Sequence, residues 1–307
     1  MNPAFSVVLF TTIAGAAQGL VAALALATLG GVEMTHAFVA RGLEIAGVML
    51  MIGLVASFGH LGRKERAWRA VLMWRTSWLS RECLVLPAFI AWIALWRLML
   101  EFAQLRMFVP LVALVLAGSL WVCTAMIYAC LRFIEEWAQP LTLVNFVLIG
   151  LSSGFVLASA LAASAGEGEL LRLTGPVAIA VTIAALVARV ASLRRNAALR
   201  HRSTLQSATG IRSPQLVQKS MGMSAGAFNT REFFHGRTLM LLRNVRRMFL
   251  LCGFVLPALF ALVALLSEAS VWWWLAVASQ SVGLLAERWF FFAQAQHPQN
   301  LYYQVVS

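Results

Sequence analysis

The chain has 307 residues, of which 61% are hydrophobic and only 12% are charged, yet its formal net charge is +12. Soluble domains average about 25% charged residues, so this chain has too little polar surface to cover a water-soluble globule, and we interpret it as an integral membrane protein. A pI near 11.1 is also typical of nucleic-acid-binding proteins, but the apolar runs between the basic clusters are as long as membrane spans, which argues against that class.

Apolar segments of membrane-spanning length recur along the whole chain. Taking roughly 20 apolar residues for one span, the sequence predicts eight, at residues 4–29, 38–58, 84–100, 108–131, 141–163, 176–192, 248–266 and 271–286. The first lacks the basic residues that open a signal peptide, so we interpret it as a retained helix. The predicted fold class is therefore all-α, a polytopic bundle of eight transmembrane helices, with residues 1–307 forming a single integral membrane domain.

The basic residues between the predicted spans are distributed unequally. With eight spans, the loops after even-numbered helices share a side with both termini, and that side receives twenty of the 24 Lys and Arg residues. Retained Lys and Arg mark the cytoplasmic side of a membrane protein. We therefore expect both termini and the loops 60–82, 132–139 and 193–247 to be cytoplasmic, in a multi-pass protein of the bacterial inner membrane.

Two of these loops differ from ordinary connections between helices. Residues 60–82 combine six basic residues with Trp68, Trp74 and Trp78, which is typical of a segment lying at the membrane interface. The loop 193–247 is far longer than most connections between helices, and its basic start and Gly/Ser/Met-rich middle indicate a docking segment. A solvated basic loop that touches only lipid head groups is the alternative. The candidate docking residues are Arg66, Arg69, Arg75, Arg231, Phe233 and His235.

A few ionisable residues lie at the ends of the predicted spans on the cytoplasmic side. Charged groups are costly in hydrocarbon and are therefore functional candidates. A His, two Glu and several Arg among Trp and Phe side chains suit a quinone headgroup, which needs a hydrogen bond to each carbonyl oxygen and a carboxylate that exchanges protons. The candidates for quinone binding and proton transfer are His60, Arg63, Arg81, Glu82, Glu287 and Arg288. Arg63 and Arg81 would polarise the headgroup or orient the carboxylates.

Simpler roles for the same residues remain open at this point. His60 follows a predicted span and can bind the last carbonyls of that helix. Glu82 opens the next span, where a carboxylate favours the helix dipole, and Arg81 can extend to the interface. These residues would then only anchor the helix ends.

Other kinds of site are not indicated by the sequence. A haem would need two facing histidines within spans, but His36 is predicted on the opposite side from His60, and no Cys forms a C-x-x-C pair that would suit an iron–sulfur cluster. We expect no haem, iron–sulfur cluster or other metal on this chain. Glu44 and Arg41 are interpreted as an i,i+3 ion pair, not as a transport site. Without a nucleophile triad or phosphate loop, the chain is not expected to be an enzyme alone.

Several strings far apart in the chain resemble the membrane-anchor subunits of the dimethyl sulfoxide reductase family. They include His-Leu-Gly-Arg at 60–63, Arg-Ala-Trp-Arg at 66–69 and Ser-Trp-Leu-Ser-Arg-Glu at 77–82. Met-Ile-Tyr at 126–128 with Arg132, Glu-Arg-Trp-Phe-Phe-Phe-Ala at 287–293 and His-Pro-Gln-Asn at 297–300 continue the resemblance. The strings match together over nearly the whole chain.

The resemblance implies a three-subunit complex. In it, a molybdopterin catalytic subunit and an iron–sulfur electron-transfer subunit are attached to the anchor, which provides a quinone site and carries no haem. His60 matches the family histidine associated with quinol binding, and Glu82 matches the acid that follows it. The expected cofactor is ubiquinone or menaquinone, with molybdopterin and iron–sulfur clusters on the partner subunits only.

The expected orientation distinguishes branches of this family. A cytoplasmic loop 60–82 would place the partner subunits in the cytoplasm, and the loop 193–247 is most similar to that of quinone-linked sulfite dehydrogenases. We therefore expect electrons from sulfite oxidation to pass through the iron–sulfur subunit to quinone. The alternatives are a quinol-oxidising anchor of a dimethyl sulfoxide or polysulfide reductase, a purely structural anchor, and a transporter without redox partners.

Overall fold

Every regular element in the described part of the chain is a helix. The computed structural model describes residues 3–59, 63–102, 107–199, 204–216 and 239–296. Its helices are α1 (Phe5–Leu29), α2 (His36–Phe58), a 3₁₀ helix (Lys64–Val71), α3 (Trp78–Leu98), α4 (Phe108–Ala129), α5 (Pro140–Ala165), α6 (Gly168–Ala197), α7 (Leu205–Thr209), α8 (Leu239–Leu250), a π-helical turn (Leu251–Val255), α9 (Leu256–Ser267) and α10 (Ser270–Ala293).

Each of the eight predicted spans corresponds to a helical segment, but only seven of these segments are both long and apolar enough to cross a membrane. In the described ranges, seven segments are long and apolar enough to cross a membrane, and the seventh is Met240–Ser267, which joins α8, the π-helical turn and α9. The eighth predicted span is α10, a helix of 24 residues. It is long enough to cross a membrane, but three consecutive Trp residues, Gln280 and the charged pair at 287–288 interrupt its apolar stretch.

Several helices extend beyond the predicted apolar segments. α6 was predicted over 176–192 but covers Gly168–Ala197, because the backbone continues its helical hydrogen bonds through the polar residues at both ends. The long loop predicted at 193–247 is shortened in the same way, since α8 already begins at Leu239. The loop predicted at 60–82 contains the 3₁₀ helix Lys64–Val71 and ends where α3 begins at Trp78.

α1 is the central helix of the bundle. Its residues from Ala17 to Ala25 are all buried, and it packs against α2, α4, α5 and α10. Its backbone lies directly against that of α5, because a side chain on Gly154 would collide with Gly19. α10 meets the π-helical turn in the same manner at Gly253 and Gly283. Small residues permit such close contacts between helices in membranes.

Hydrogen bonds between side chains join α5, α6 and α10 near the middle of the bundle. Gln280 Nε2 donates to Ser152 Oγ at 2.8 Å, and Ser152 Oγ lies 2.7 Å from Thr182 Oγ1. Nearer to the connection between α5 and α6, Ser159 Oγ donates to Thr174 Oγ1 at 3.0 Å. Bonds of this kind contribute about 0.6 kcal/mol each in membrane proteins, so they fix the rotation of these helices more than they add stability.

The antiparallel course of the spans brings several helix ends to one side of the bundle. The starts of α1, α3 and α5 lie there, together with the ends of α2, α4, α6 and α10. This end of the bundle carries most of the candidate residues named above.

Candidate functional site

Glu82 lies inside the bundle, in the second turn of α3. Its side chain is 6% exposed, and its Oε1 atom accepts a hydrogen bond from Thr124 Oγ1 on α4. The two residues meet because α3 and α4 are neighbouring antiparallel helices. The hydroxyl donates to one carboxylate oxygen only. Burying a carboxylate in a membrane protein costs free energy, so a residue retained there is a candidate for function.

Glu287 and Arg288 belong to a second buried group of charges. Glu287 is 1% exposed, and its Oε1 atom lies 2.7 Å from Nε of Arg189 on α6, whose side chain is also 1% exposed. Glu287 Oε2 lies 3.6 Å from Arg288 Nη1. The guanidinium of Arg288 also covers the ring of Phe146 at 3.8 Å, a cation–π contact that favours the buried charge.

The sequence predicts Glu287 and Arg288 at the membrane boundary and counts Arg189 among the basic residues of the cytoplasmic side. All three lie in the last turns of their helices. They are buried, because each lies on the face of its helix that packs against the other helices. The group has two guanidinium groups and one carboxylate.

The Glu82 and Glu287 groups approach each other inside the bundle. Thr124, which binds Glu82, and Arg288, which binds Glu287, line the same small cavity between α1, α4, α5 and α10. Tyr128 lies one turn after Thr124 on α4. The structure thus brings together candidates from predicted spans that are more than 200 residues apart in the chain.

An aromatic cluster closes this end of the bundle around Tyr128. The ring centroid of Tyr128 lies 5.4 Å from Trp137 and 5.3 Å from Phe292. Trp137 Nε1 donates to the carbonyl of Phe291 at 3.0 Å. The strings 126–128 and 287–293, on which part of the family resemblance rests, therefore meet in the fold.

The Arg81 side chain holds the loop before α3. Its Nε atom donates to the carbonyl of Trp74 at 2.9 Å, its Nη2 atom to that of Arg75 at 2.8 Å, and its guanidinium lies 4.2 Å from the Trp78 ring centroid. Arg63 is exposed just before the 3₁₀ helix. His60 lies outside the described residues.

Exposed Arg and Trp residues cover the loop between α2 and α3. Trp68 is 61% exposed and Trp74 is 52% exposed. Arg69 lies 5.5 Å from the Trp68 ring centroid, and Arg75 lies 5.3 Å from that of Trp74; Arg66 is exposed nearby. The other predicted docking residues, Arg231, Phe233 and His235, lie outside the described residues.

Ionisable residues at the opposite end form separate pairs. Glu44 was predicted to pair with Arg41, but its Oε1 atom accepts from Arg97 Nε on α3 at 2.9 Å. His36 Nδ1 lies 3.5 Å from Glu101 Oε1. Within the described ranges, no three His, Cys, Asp or Glu side chains come close enough to hold a metal ion.

Sequence reasoning missed two polar partners of the candidate carboxylates. Arg189 lies within the predicted span 176–192, and an arginine inside a span already indicates a buried partner. Thr124 carries a weaker signal, because threonines in membrane helices commonly bond their own backbone. That Arg189 pairs with Glu287 and Thr124 with Glu82 becomes evident only from the packing of the helices.

The chain belongs to a recognised class of membrane protein. Residues 1–213 match the family described as DMSO reductase anchor subunit (DmsC), so the chain belongs to this family and is a membrane anchor subunit. The resemblance predicted from the separated strings is confirmed.

A curated relative is similar over its full length. The chain is 45% identical to a sulfite dehydrogenase subunit from Allochromatium vinosum, and the alignment covers 100% of both chains. This similarity confirms the predicted likeness to the sulfite dehydrogenase branch.

Proposed function

We propose that this protein is the quinone-reactive anchor of a three-subunit oxidoreductase that oxidises sulfite in the cytoplasm. An iron–sulfur subunit would deliver electrons from a molybdopterin catalytic subunit to the anchor. The full-length similarity to a subunit of a sulfite dehydrogenase supports this assignment, and the buried carboxylate of Glu82 carries the quinone part of it.

Reduction of a quinone consumes two electrons and two protons. His60, which follows the C-cap residue Gly59 of α2 in the chain, would donate a hydrogen bond to one quinone oxygen, with Arg63 polarising the headgroup. Glu82 would transfer protons, since a carboxylate buried near the end of a span can take protons from one aqueous side only. Glu287 and Arg288 would support this transfer from inside the bundle, while Arg81 would keep the loop between His60 and Glu82 in place.

An apolar groove between α2 and α3 suits the isoprenoid tail of a quinone. It has a volume of about 720 Å³, and its lining includes the Glu44–Arg97 ion pair. Its two walls come from the same helices that precede and follow the loop with His60. The groove is lined mainly by Val48, Met51, Ile52, Val55, Ile90 and Ala94.

The Arg- and Trp-covered loop between α2 and α3 is the proposed docking surface for the iron–sulfur subunit. Exposed Arg66, Arg69 and Arg75 would attract an acidic partner, and the exposed Trp rings would bury apolar area. Arg231, Phe233 and His235 would extend this surface. Docking here would place the last iron–sulfur cluster beside the headgroup, with the partners and both termini in the cytoplasm.

Substitution of His60 or Glu82 tests the quinone site. In the purified complex, His60→Ala and Glu82→Gln should leave sulfite oxidation with an artificial electron acceptor intact, while quinone reduction falls about 100-fold, as for loss of an acid–base group. Glu101→Gln, at the opposite end of the bundle, is the matched control and should retain wild-type turnover. Quinone reduction by both site variants at the wild-type rate and KM would overturn the proposal.

A further inference from the structure

A small polar cavity lies between Glu82 and the buried charges of α10. It has a volume of about 10 Å³ open to a water-sized sphere, which is room for one water molecule. Its polar walls come from α1, α4 and α10. The polar side chains that line it are Thr11, Gln18, Trp121, Thr124 and Arg288.

Three of these side chains have buried polar atoms without a partner in the structure. They are Oε1 of Gln18, Nε1 of Trp121 and Nε of Arg288, on side chains that are 2%, 5% and 3% exposed. Buried donors and acceptors are almost always satisfied by protein or by ordered water. Three unsatisfied atoms on residues that line one cavity of this size therefore indicate a ligand that both donates and accepts hydrogen bonds.

We propose that the cavity binds a single ordered water molecule that accepts from Trp121 and Arg288 and donates to Gln18 and Thr124. The two N–H groups supply two donors, and the Gln18 carbonyl and the Thr124 hydroxyl oxygen supply two acceptors. Buried waters make two to four such bonds, so this set satisfies the molecule completely.

The water would fix the direction of the Thr124 hydroxyl. A hydroxyl has one hydrogen, and a water that donates to Thr124 Oγ1 leaves that hydrogen directed at Oε1 of Glu82. Gln18 and Trp121 thereby act as positioning residues for Glu82. A continuous polar chain then runs from Glu82 through Thr124 and the water to Arg288, Glu287 and Arg189, with two carboxylates balancing two guanidinium groups.

The positioning role rests on the proposed function, because it assumes that Glu82 exchanges protons with quinone. The water site does not depend on that assumption. A cryo-electron-microscopy map of the whole complex that resolves ordered waters should show density between about 2.5 and 3.2 Å from all four atoms. A map with ordered waters elsewhere and none in this cavity would overturn the water site. Density in the cavity, together with wild-type quinone reduction by Glu82→Gln, would overturn only the proposed quinone site.

Trp121→Phe tests the positioning role because it removes one donor and keeps the aromatic ring. Its kcat for quinone reduction should fall severalfold with KM unchanged, whereas in a Glu82→Gln background it should cause no further loss. Trp92→Phe is the matched control, since Trp92 Nε1 donates to Val109 O at 2.9 Å on the opposite side of the bundle. A Trp121→Phe variant that behaves like Trp92→Phe, or that adds its full effect to Glu82→Gln, would overturn the role.

Discussion

The Nε atom of Arg189 on α6 lies 2.7 Å from the Oε1 atom of Glu287 on α10, and each side chain is only 1% exposed. The pair joins helices that are distant in the chain and turns Glu287 toward the interior of the bundle. Arg288 adds a second guanidinium to the same carboxylate, so the stability of this end of the bundle depends on both arginines.

Substitution of Arg189 by Met should strongly destabilise the protein. Arg189 makes the shorter of the two contacts of Glu287, so its loss leaves this buried carboxylate with only the 3.6 Å contact to Arg288, and breaking a buried ion pair costs about 3–5 kcal/mol. Thermal unfolding of the detergent-solubilised complex measures the loss. Arg97→Met is the control, because the Arg97–Glu44 pair is 46% and 56% exposed, and an exposed pair contributes about 0–1 kcal/mol. Equal destabilisation by the two variants would contradict the importance given to the buried pair.

Substitution of Thr124 by Val should slow quinone reduction without preventing assembly. Val has nearly the same shape as Thr but cannot donate to Glu82, and a hydrogen bond to a charged group contributes about 1.5–3 kcal/mol, which corresponds to about 10- to 100-fold in rate. The measurement is kcat with quinone beside activity with an artificial acceptor. Thr28→Val is the matched control, since Thr28 Oγ1 donates only to its own helix at Leu24 O; an unchanged kcat in Thr124→Val would remove Thr124 from the site.

Filling the α2–α3 groove should weaken binding of long-tailed quinones. Gly47 lines the groove, and a side chain added there meets no atom within 4 Å, so Gly47→Phe should occupy the space proposed for the isoprenoid tail. Displacing two methylene groups costs about 1.6 kcal/mol, and KM should rise about tenfold. Short-tailed analogues should be unaffected.

The control for the groove variant is Gly118→Phe on α4, where an added side chain likewise meets no atom within 4 Å. This variant should retain the wild-type KM for long-tailed and for short-tailed quinones. If Gly47→Phe raised the KM of short-tailed and long-tailed quinones equally, the groove would not be the tail site.

Neutralising the exposed arginines before α3 should weaken binding of the iron–sulfur subunit. The triple variant Arg66→Gln, Arg69→Gln and Arg75→Gln removes three exposed charges, each worth roughly 0.2–1 kcal/mol, so affinity should fall about tenfold. Co-purification at increasing salt measures the effect, because screening weakens such contacts. Arg172→Gln, exposed near the start of α6, should leave the salt sensitivity unchanged, and a triple variant with wild-type salt sensitivity would exclude this docking surface.

Composition and local pattern were sufficient to predict the class of fold. Runs of apolar residues locate the membrane helices because each helix satisfies its own backbone hydrogen bonds and needs only a long enough apolar stretch. The helix ends were predicted less well, as in α6, because a helix continues through polar residues where the hydrocarbon ends. The strings around Glu82 and Glu287 also sufficed to predict the family.

The arrangement of the site was decided only by the packing of the helices. The sequence identified Glu82 and Glu287 as candidates, but not that Thr124 would bind the first and Arg189 the second, nor that Arg81 would hold its own loop. A contact between two spans depends on the rotation and depth of each helix, which are set by close backbone contacts such as that of Gly19 with Gly154. The sequence alone therefore identified Glu82, Glu287 and Arg288 as candidate charges, and the tertiary structure decided how they are paired.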